Sequence, residues 1–313
     1  QVQNQKELHD LTTWWKRLDV VNKLPYVRDR VAEAFFWANT SYFERHHSFA
    51  RTMLTKYFCL FTILDDTFDN YGVAEELEKL NEAIQRWDKS ASDTLPQVMK
   101  VVFDYIYDEQ AEIDKEIQAA GLPPCRSKYA IQMTKDLADA YKNEAALKGI
   151  NRFLTLEEYL TFSSKSSGGK EVNVIALLGM GTDIVSDEAI EYIVSSQTQL
   201  IETLNFLTRI KDDLQGHIFE KKRDHIETAV DCYARQHQVS REEAVRALTA
   251  AVENAWKGLN KELLKPYNVH PEFLKRCLNF VRVLEVIYDD GDGFSDPAVL
   301  KQLIRQMMVD PIL

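Results

Sequence analysis

The chain has 313 residues, 45% of them hydrophobic and 28% charged, enough apolar content to bury one large core or two ordinary ones. A net charge of −11 and a pI of about 5.2 argue against a nucleic-acid backbone or an anionic membrane surface as a general partner, so an anionic ligand must be met by a local basic cluster or by metal ions. No apolar run reaches the roughly eighteen residues of a membrane span, and the four cysteines, Cys59, Cys125, Cys232 and Cys277, form no C-x-x-C pair, which predicts reduced thiols in a cytoplasmic setting rather than a zinc site or a disulfide framework.

Only 11 Gly and 8 Pro leave little room for strands and turns, and the long segments show a 3.6-residue apolar rhythm, so the expected class is all-α. The N-terminal QVQNQKELHD lacks the charged-then-apolar layout of a signal peptide, and because the chain starts without Met it reads as a processed piece. Helices are predicted in chain order over residues 30–39, 49–69, 74–88, 95–120, 127–143, 155–166, 187–219, 241–264 and 271–288. Thr155 with Glu158 and Ser240 with Glu243 fit capping boxes at two of the starts. Breaks fall at 70–72, 121–124, 179–183, 265–271 and 289–297. None is a long low-complexity linker, and no internal repeat is evident, so a single domain is expected.

The second predicted segment ends in FTILDDTFDNYG. On a helix Asp65 and Asp69 share a face, with Asp66 offset by about 100°. A frayed helix end in water would tolerate these acids. Phe58, Leu60, Phe61, Ile63 and Leu64, however, leave almost no polar face before them, and carboxylates are unfavourable near a helix C-terminus. Mg²⁺ binds through one or two carboxylates plus the phosphate oxygens of a substrate, so the motif reads as a metal–diphosphate site. The long segment 187–219 runs into RIKDDLQGHIFEKKRDH, where Asp212, Gly216 and Glu220 stand at i, i+4 and i+8. Arg209, Lys211, Lys221, Lys222 and Arg223 flank them. That pattern suits a surface helix laced with ion pairs, or carboxylates holding Mg²⁺ while Arg and Lys clamp a diphosphate. His46, His47, His217 and His225 show no paired-ligand spacing and are expected on the surface or on helix flanks.

The pairing of LDDTFD with DDLQGHIFE about 145 residues later resembles the two metal motifs of plant class I terpene synthases of the sesquiterpene type. WWKRLDVVNKLPYVRDRVAEAFFWA, SYFERHHSFARTMLTK, NEAIQRWD, LEEYL, AWKGLNKELLKP and VIYDDGDGFSDP extend the similarity over essentially the whole chain. The resemblance implies a class I terpenoid synthase bundle around a central apolar cavity, with residues 1–313 as a catalytic α-domain that lacks the N-terminal helical domain typical of plant members. It implies three Mg²⁺ ions, with Mn²⁺ as a substitute, two held by Asp65 and Asp69 and the third by Asp212, Gly216 and Glu220. Family members carry Ser or Thr where this chain has Gly216, so the third ion is expected to take a water there or to bind more weakly.

By the same resemblance Arg28 and Arg30 lie on a loop that closes over the site, and Arg209 binds diphosphate with Lys221 and Arg223 behind it. Trp37, Tyr288 and Phe294 line the cavity, while Phe58, Thr62, Thr208 and Leu284 shape it. A helix breaks at Ser166, Ser167 and Gly168 and turns backbone carbonyls toward the cavity. The following KEVNV is less apolar than the family's usual wall. Residues 289–297 form a second closing loop, with Asp292 near the cavity and Tyr288 as proton acceptor or cation stabiliser. The implied enzyme is a monomeric lyase that converts farnesyl diphosphate to a sesquiterpene. The alternatives are geranyl diphosphate as substrate, a chain-elongating prenyltransferase, whose second motif would repeat D-D-x-x-D, and a non-catalytic helical scaffold.

Overall fold

A computed structural model describes residues 1–147, 153–195, 198–219, 228–265, 269–289 and 291–310, and every element among them is helical. The first half runs through α1 (Val2–Leu18), α2 (Val20–Lys23), α3 (Val31–Ser41), α4 (Ser48–Asp66), α5 (Ala74–Arg86), α6 (Gln97–Ala119) and α7 (Arg126–Ala145). The second comprises α8 (Leu156–Ser166), α9 (Gly169–Leu178), α10 (Asp187–Ser195), α11 (Gln199–Phe219), α12 (Ala229–His237), α13 (Arg241–Leu263), α14 (Pro271–Ile287) and α15 (Pro297–Met308).

Helix α4 is the axis of the packing. From Tyr57 to Leu64 every side chain is buried, the signature of a helix surrounded by others. It lies against α3 and α9; α9 in turn meets α7 and α14, and α11 packs on α8, α9, α13 and α14. These neighbours leave a cavity between α3, α4, α7, α8, α11 and α14, open at the end where α4 stops. The two expected capping boxes form. Glu158 and Glu243 donate their backbone N–H to Thr155 (3.1 Å) and Ser240 (3.2 Å), and their carboxylates accept the cap N–H at 3.0 Å in each case.

Helix C-termini buried by this packing need donors, and arginines with almost no exposure supply them. Arg126 donates to the carbonyls of Leu178 (2.7 Å), Met180 and Val185 (2.9 Å) at the end of α9. Arg276 donates to Ser41 O (2.7 Å) at the end of α3 and to Glu44 (2.8 Å). Arg51 binds both oxygens of Glu7 at 2.7 Å, fastening α1 to α4.

Three differences from the sequence expectations have local causes. The segment 187–219 is two helices, because Thr198 accepts the N–H of Ile201 (3.3 Å) and so starts a new one. Helices α1, α2, α9, α12 and α15 fall outside the expected segments, although α1 and α15 are amphipathic and pack on α3. His47 is buried rather than on the surface, its ring 5.5 Å from that of Tyr42, because the 3₁₀ turn Arg45–His47 tucks it under α4. Burial, reinforced by the Arg276 and His46 charges, pushes His47 down to about 4. His217 lies in α11, and His225 lies outside the described residues.

Candidate active site

The apolar residues of α4 carry the chain straight into its acidic end, and the helix widens there. Thr67–Tyr71 form a π turn closed by a Gly72 N–H to Thr67 O bond of 2.9 Å. The widened turn places Tyr71 in a stack on Tyr26, with ring centroids 4.1 Å apart, and the Tyr26 hydroxyl lies 3.0 Å from that of Thr67. The loop of residues 25–30 is thereby laid across the end of α4.

Arg28 is the centre of the mouth. Its backbone N–H and Nε donate to the two oxygens of Asp66, both at 2.8 Å; Nη2 donates to Asp65, Nη1 to Ser295 Oγ (3.2 Å), and the guanidinium lies 5.7 Å from the Phe294 ring centroid. Burial works against the Arg28 charge, but Asp65, Asp66 and Asp292 together hold its pKa above the ordinary value. Arg30 donates to the carbonyls of Phe294 (2.9 Å) and Ser295 (2.8 Å). Asp292 shapes the loop that presents them, accepting the N–H groups of Phe294 (2.9 Å) and Ser295 (3.0 Å) on one oxygen. The loop before α3 and the loop before α15 are thus latched to each other.

Across the mouth stands α11. Arg209 donates to Asp212 (3.2 Å) and Asp213 (3.3 Å), and also to Ser163 O (2.9 Å) and Ser166 Oγ (3.2 Å) at the end of α8. Asp212 accepts a hydrogen bond from Tyr288, whose phenol is raised by burial and by Asp212 and Asp292. Asp213 accepts from the Tyr159 hydroxyl and the Ala229 N–H, each at 2.8 Å, tying α11 to α8 and α12. The two Asp–Asp pairs are alike in one respect. The side chain of the first member is 37% exposed at Asp65 and 38% at Asp212, whereas the second is sealed, 1% at Asp66 and 3% at Asp213.

The mouth and the interior behind it form one cavity of about 890 Å³. Trp37 forms much of its wall, 4.9 Å from Phe58, 5.6 Å from Phe280 and edge-on to Phe294 at 5.8 Å. Thr62, Ser167, Gly168, Thr208, Tyr288, Phe61, Leu137, Tyr141 and Val172 complete it. The break between α8 and α9 falls where expected. Gly168 has φ +68°, open to glycine but strained for other residues, and a Cβ on Gly169 would stand 2.7 Å from Asn205 Oδ1 on α11. The polar character of KEVNV is absorbed without roughening this wall: only Val172 faces the cavity, while Lys170 and Glu171 line a separate hollow and Asn173 donates to Gly169 O (2.7 Å).

The structure gathers most of the expected residues around this space: Arg28, Arg30, Asp65, Asp69, Arg209, Asp212 and Asp292 at the mouth, with the aromatic and hydroxyl groups below. Leu284 is the exception. It is 1% exposed, enclosed by the hydrophobic core and not among the residues that line the cavity, because neighbouring side chains fill the space around it one turn along from Tyr288. Gly216 lies in α11, and Glu220, Lys221 and Arg223 lie outside the described residues. Glu144, at the end of α7, was not expected. It accepts a hydrogen bond from Ser166 and lies 3.6 Å from Arg209; burial, with Asp213 and Asp69 adding to it, raises its pKa against the pull of Arg209.

Among the described residues the cavity brings together eight carboxylates, Asp65, Asp66, Asp69, Glu144, Asp212, Asp213, Asp292 and Asp296, against three guanidinium groups, Arg28, Arg30 and Arg209. Removal from water, and the crowding of Asp66, Asp69 and Glu144, raise Asp65 despite Arg28. Such a site is short of positive charge and rich in hard oxygen donors, which is the donor chemistry of Mg²⁺. No three of the described acids, histidines or cysteines already form a metal-holding group, and Arg28 bonds both Asp65 and Asp66.

Comparison with known proteins places this geometry. The metal-binding domain of the terpene synthase family matches residues 16–258. Sesquiterpene synthase 2 of Toona sinensis is 38% identical over 99% of the chain, and the (−)-germacrene D synthase of Vitis vinifera is 39% identical over 99%; in each case 55% of the relative is covered, so the chain spans about half the length of these proteins. Among solved structures, isoprene synthase from grey poplar in complex with three Mg²⁺ ions and dimethylallyl-S-thiolodiphosphate superposes with a TM-score of 0.89 at 28% identity, covering 100% of this chain and 59% of that one. Limonene synthase with 2-fluorolinalyl diphosphate gives 0.91 at 28% identity, covering 99% and 57%.

Proposed function

The chain belongs to the terpene synthase family, and from that premise we propose that it ionises farnesyl diphosphate and converts the resulting carbocation to a sesquiterpene, with release of diphosphate. The observation that carries this reading is the junction of an acid-and-arginine mouth with an aromatic-walled cavity of about 890 Å³. The sesquiterpene-synthase names of its relatives favour fifteen carbons over ten.

Asp65 and Asp69 on one side, and Asp212 with Gly216 and Glu220 on the other, are the groups that would hold Mg²⁺, with Mn²⁺ as a substitute. When bound, the ions supply positive charge where the departing diphosphate gathers negative charge. Arg28, Arg30 and Arg209 add fixed guanidinium charge at the same mouth, with Lys221 and Arg223 as further anion contacts. Arg209 is oriented by Ser163 O and Ser166 Oγ, so its remaining N–H capacity is aimed rather than loose.

The latch from Arg28 and Arg30 to Phe294 and Ser295 holds the two loops together beside the open mouth, where with substrate bound they would help to keep out water, which would quench an allylic cation. Inside, the faces of Trp37, Phe58, Tyr288 and Phe294 stabilise the cation through their quadrupoles, an effect of about 2 kcal/mol or more when desolvated. The C-terminal end of α8 at Ser166 and Ser167 adds the negative end of a helix dipole. Tyr288, held by Asp212, is placed to take part in the final proton transfer.

The test is gas chromatography–mass spectrometry of products formed from geranyl and farnesyl diphosphate with Mg²⁺, with and without isopentenyl diphosphate. Sesquiterpenes from farnesyl diphosphate are expected. Monoterpenes alone would move the substrate to ten carbons, and a longer prenyl diphosphate would replace the synthase reading with chain elongation.

A further inference from the structure

We propose that Asn205 on α11 is a positioning residue for the reaction: its side chain takes the N–H that the break between α8 and α9 deprives of a helical partner, and so holds the Ser166 carbonyl free at the cavity wall. In an unbroken helix the Lys170 N–H would bond the carbonyl of Ser166, four residues back. Here it donates instead to Asn205 Oδ1, at 2.7 Å. Between the two, Gly168 turns the chain at φ +68°. Ser166 lines the cavity, and among the described residues no hydrogen bond reaches its carbonyl. A carbonyl oxygen without an internal donor keeps its full negative end for a positive charge formed beside it.

Two further contacts fasten the start of α9 to this point of α11. A Cβ on Gly169 would stand 2.7 Å from Asn205 Oδ1, 3.1 Å from Thr208 Oγ1 and 3.2 Å from the Asn205 Cα, so the helix start rests on α11 at a distance that only glycine allows. Ser167 Oγ adds a long bond of 3.5 Å to the Asn205 carbonyl. Asn205 itself lines the separate hollow beside Lys170 and Glu171, not the cavity, so it reaches a substrate only through the break. An amide N–H taken from water without an acceptor is costly. Without the Asn205 oxygen the Lys170 N–H has none, the break loosens, and the Ser166 carbonyl loses its fixed place.

This assignment rests on the reading of the cavity as the place where a farnesyl cation is steered, and the experiment keeps the two apart. Hydrogen exchange of the Lys170 amide, in the protein without metal or substrate, needs no catalysis. Asn205→Leu is expected to speed it about tenfold or more, and Asn205→Asp, which keeps the acceptor, to leave it within about twofold. Unchanged protection in Asn205→Leu would overturn the proposal. Turnover of farnesyl diphosphate with Mg²⁺ then tests the consequence. Asn205→Leu should lower kcat about tenfold, with KM within about twofold, and raise the share of acyclic products, whereas Asn205→Asp should restore the wild-type kcat and product profile. Wild-type kcat and products in Asn205→Leu, a loss that falls on KM alone, or an Asn205→Asp enzyme as impaired as Asn205→Leu would each defeat the proposal. If Asn205→Leu does not fold, Asn205→Ala decides by the same two readouts. A wild-type protein that turns over neither farnesyl nor geranyl diphosphate would sink the functional reading, while exchange of the Lys170 amide would still judge whether Asn205 holds the break.

Discussion

Trp37 makes three aromatic contacts at once, so its ring is held face and edge by Phe58, Phe280 and Phe294 rather than left to rotate. Trp37→Ala is expected to lower turnover on farnesyl diphosphate more than Trp37→Phe and to raise the share of acyclic or hydroxylated products, read by product profiling; equal losses would show that bulk, not the π face, is what counts. Asp65→Ala should cost about a thousandfold in turnover, a loss that steady-state assays with saturating Mg²⁺ would reveal. His47 gives a prediction in pH. Its pKa of about 4 in the fold lies below the value of an unfolded histidine, so the unfolded chain takes up the proton first, and stability present above about pH 6.5 is lost as pH falls toward 4. Urea melts across that window should show a slope that His47→Phe flattens. Asp65, Asp69 and Arg209 were legible as charged residues in patterned motifs, whereas Trp37 was placed by the resemblance alone; all four line the cavity. Glu144 was not legible: in YKNEAAL it reads as an ordinary polar helix end, and only the approach of α7 to α8 and α11 turns it toward the cavity. Leu284 erred the other way, since one periodicity serves cavity wall and core alike.

At the scale of elements, apolar periodicity located the long helices but not their interruptions. The end of α4 was expected as plain α-helix to residue 69, and the π turn Thr67–Tyr71 has no sequence mark beyond the acids within it. Such a turn carries one more residue than α-hydrogen bonding requires. Deleting Asn70 would let the helix close in α register and rotate Tyr71 away from Tyr26; we expect a folded protein of unchanged or slightly higher thermal midpoint whose KM for farnesyl diphosphate is raised. SSKSSGG, a run of poor helix formers, reads by itself as a surface loop, and the resemblance placed the break at Ser166–Gly168; in the structure helix runs through Ser166 and resumes at Gly169, so the break is only Ser167 and Gly168. Its cost is local: Gly168→Ala, at φ +68°, should destabilise by about 1 kcal/mol in urea unfolding. The start of α11 has no Gly or Pro just before it, and Thr198 alone marks it in the sequence.

For the molecule as a whole, eight carboxylates around one opening make folding and ligand binding interdependent. Pyrophosphate and Mg²⁺ together, at about a hundred times their dissociation constant, should stabilise the native state by about 2.7 kcal/mol, visible as a rise of a few degrees in the thermal midpoint, with neither component alone sufficient. No shift with both present would leave the acidic mouth without its ligand. All-α architecture followed from low Gly and Pro content together with the 3.6-residue apolar rhythm, and the bundle was implied by the resemblance, while the size of the cavity depended on which helix faces meet, information spread over the length of the chain. The latch across the mouth joins Arg28 and Arg30 to residues more than 260 positions later. During synthesis the first of these loops therefore waits for more than 260 further residues before it finds its partner. Until the segment around Phe294 emerges from the ribosome, the aromatic interior stands uncovered, and the nascent chain offers chaperones a cup-shaped apolar surface that the finished protein hides.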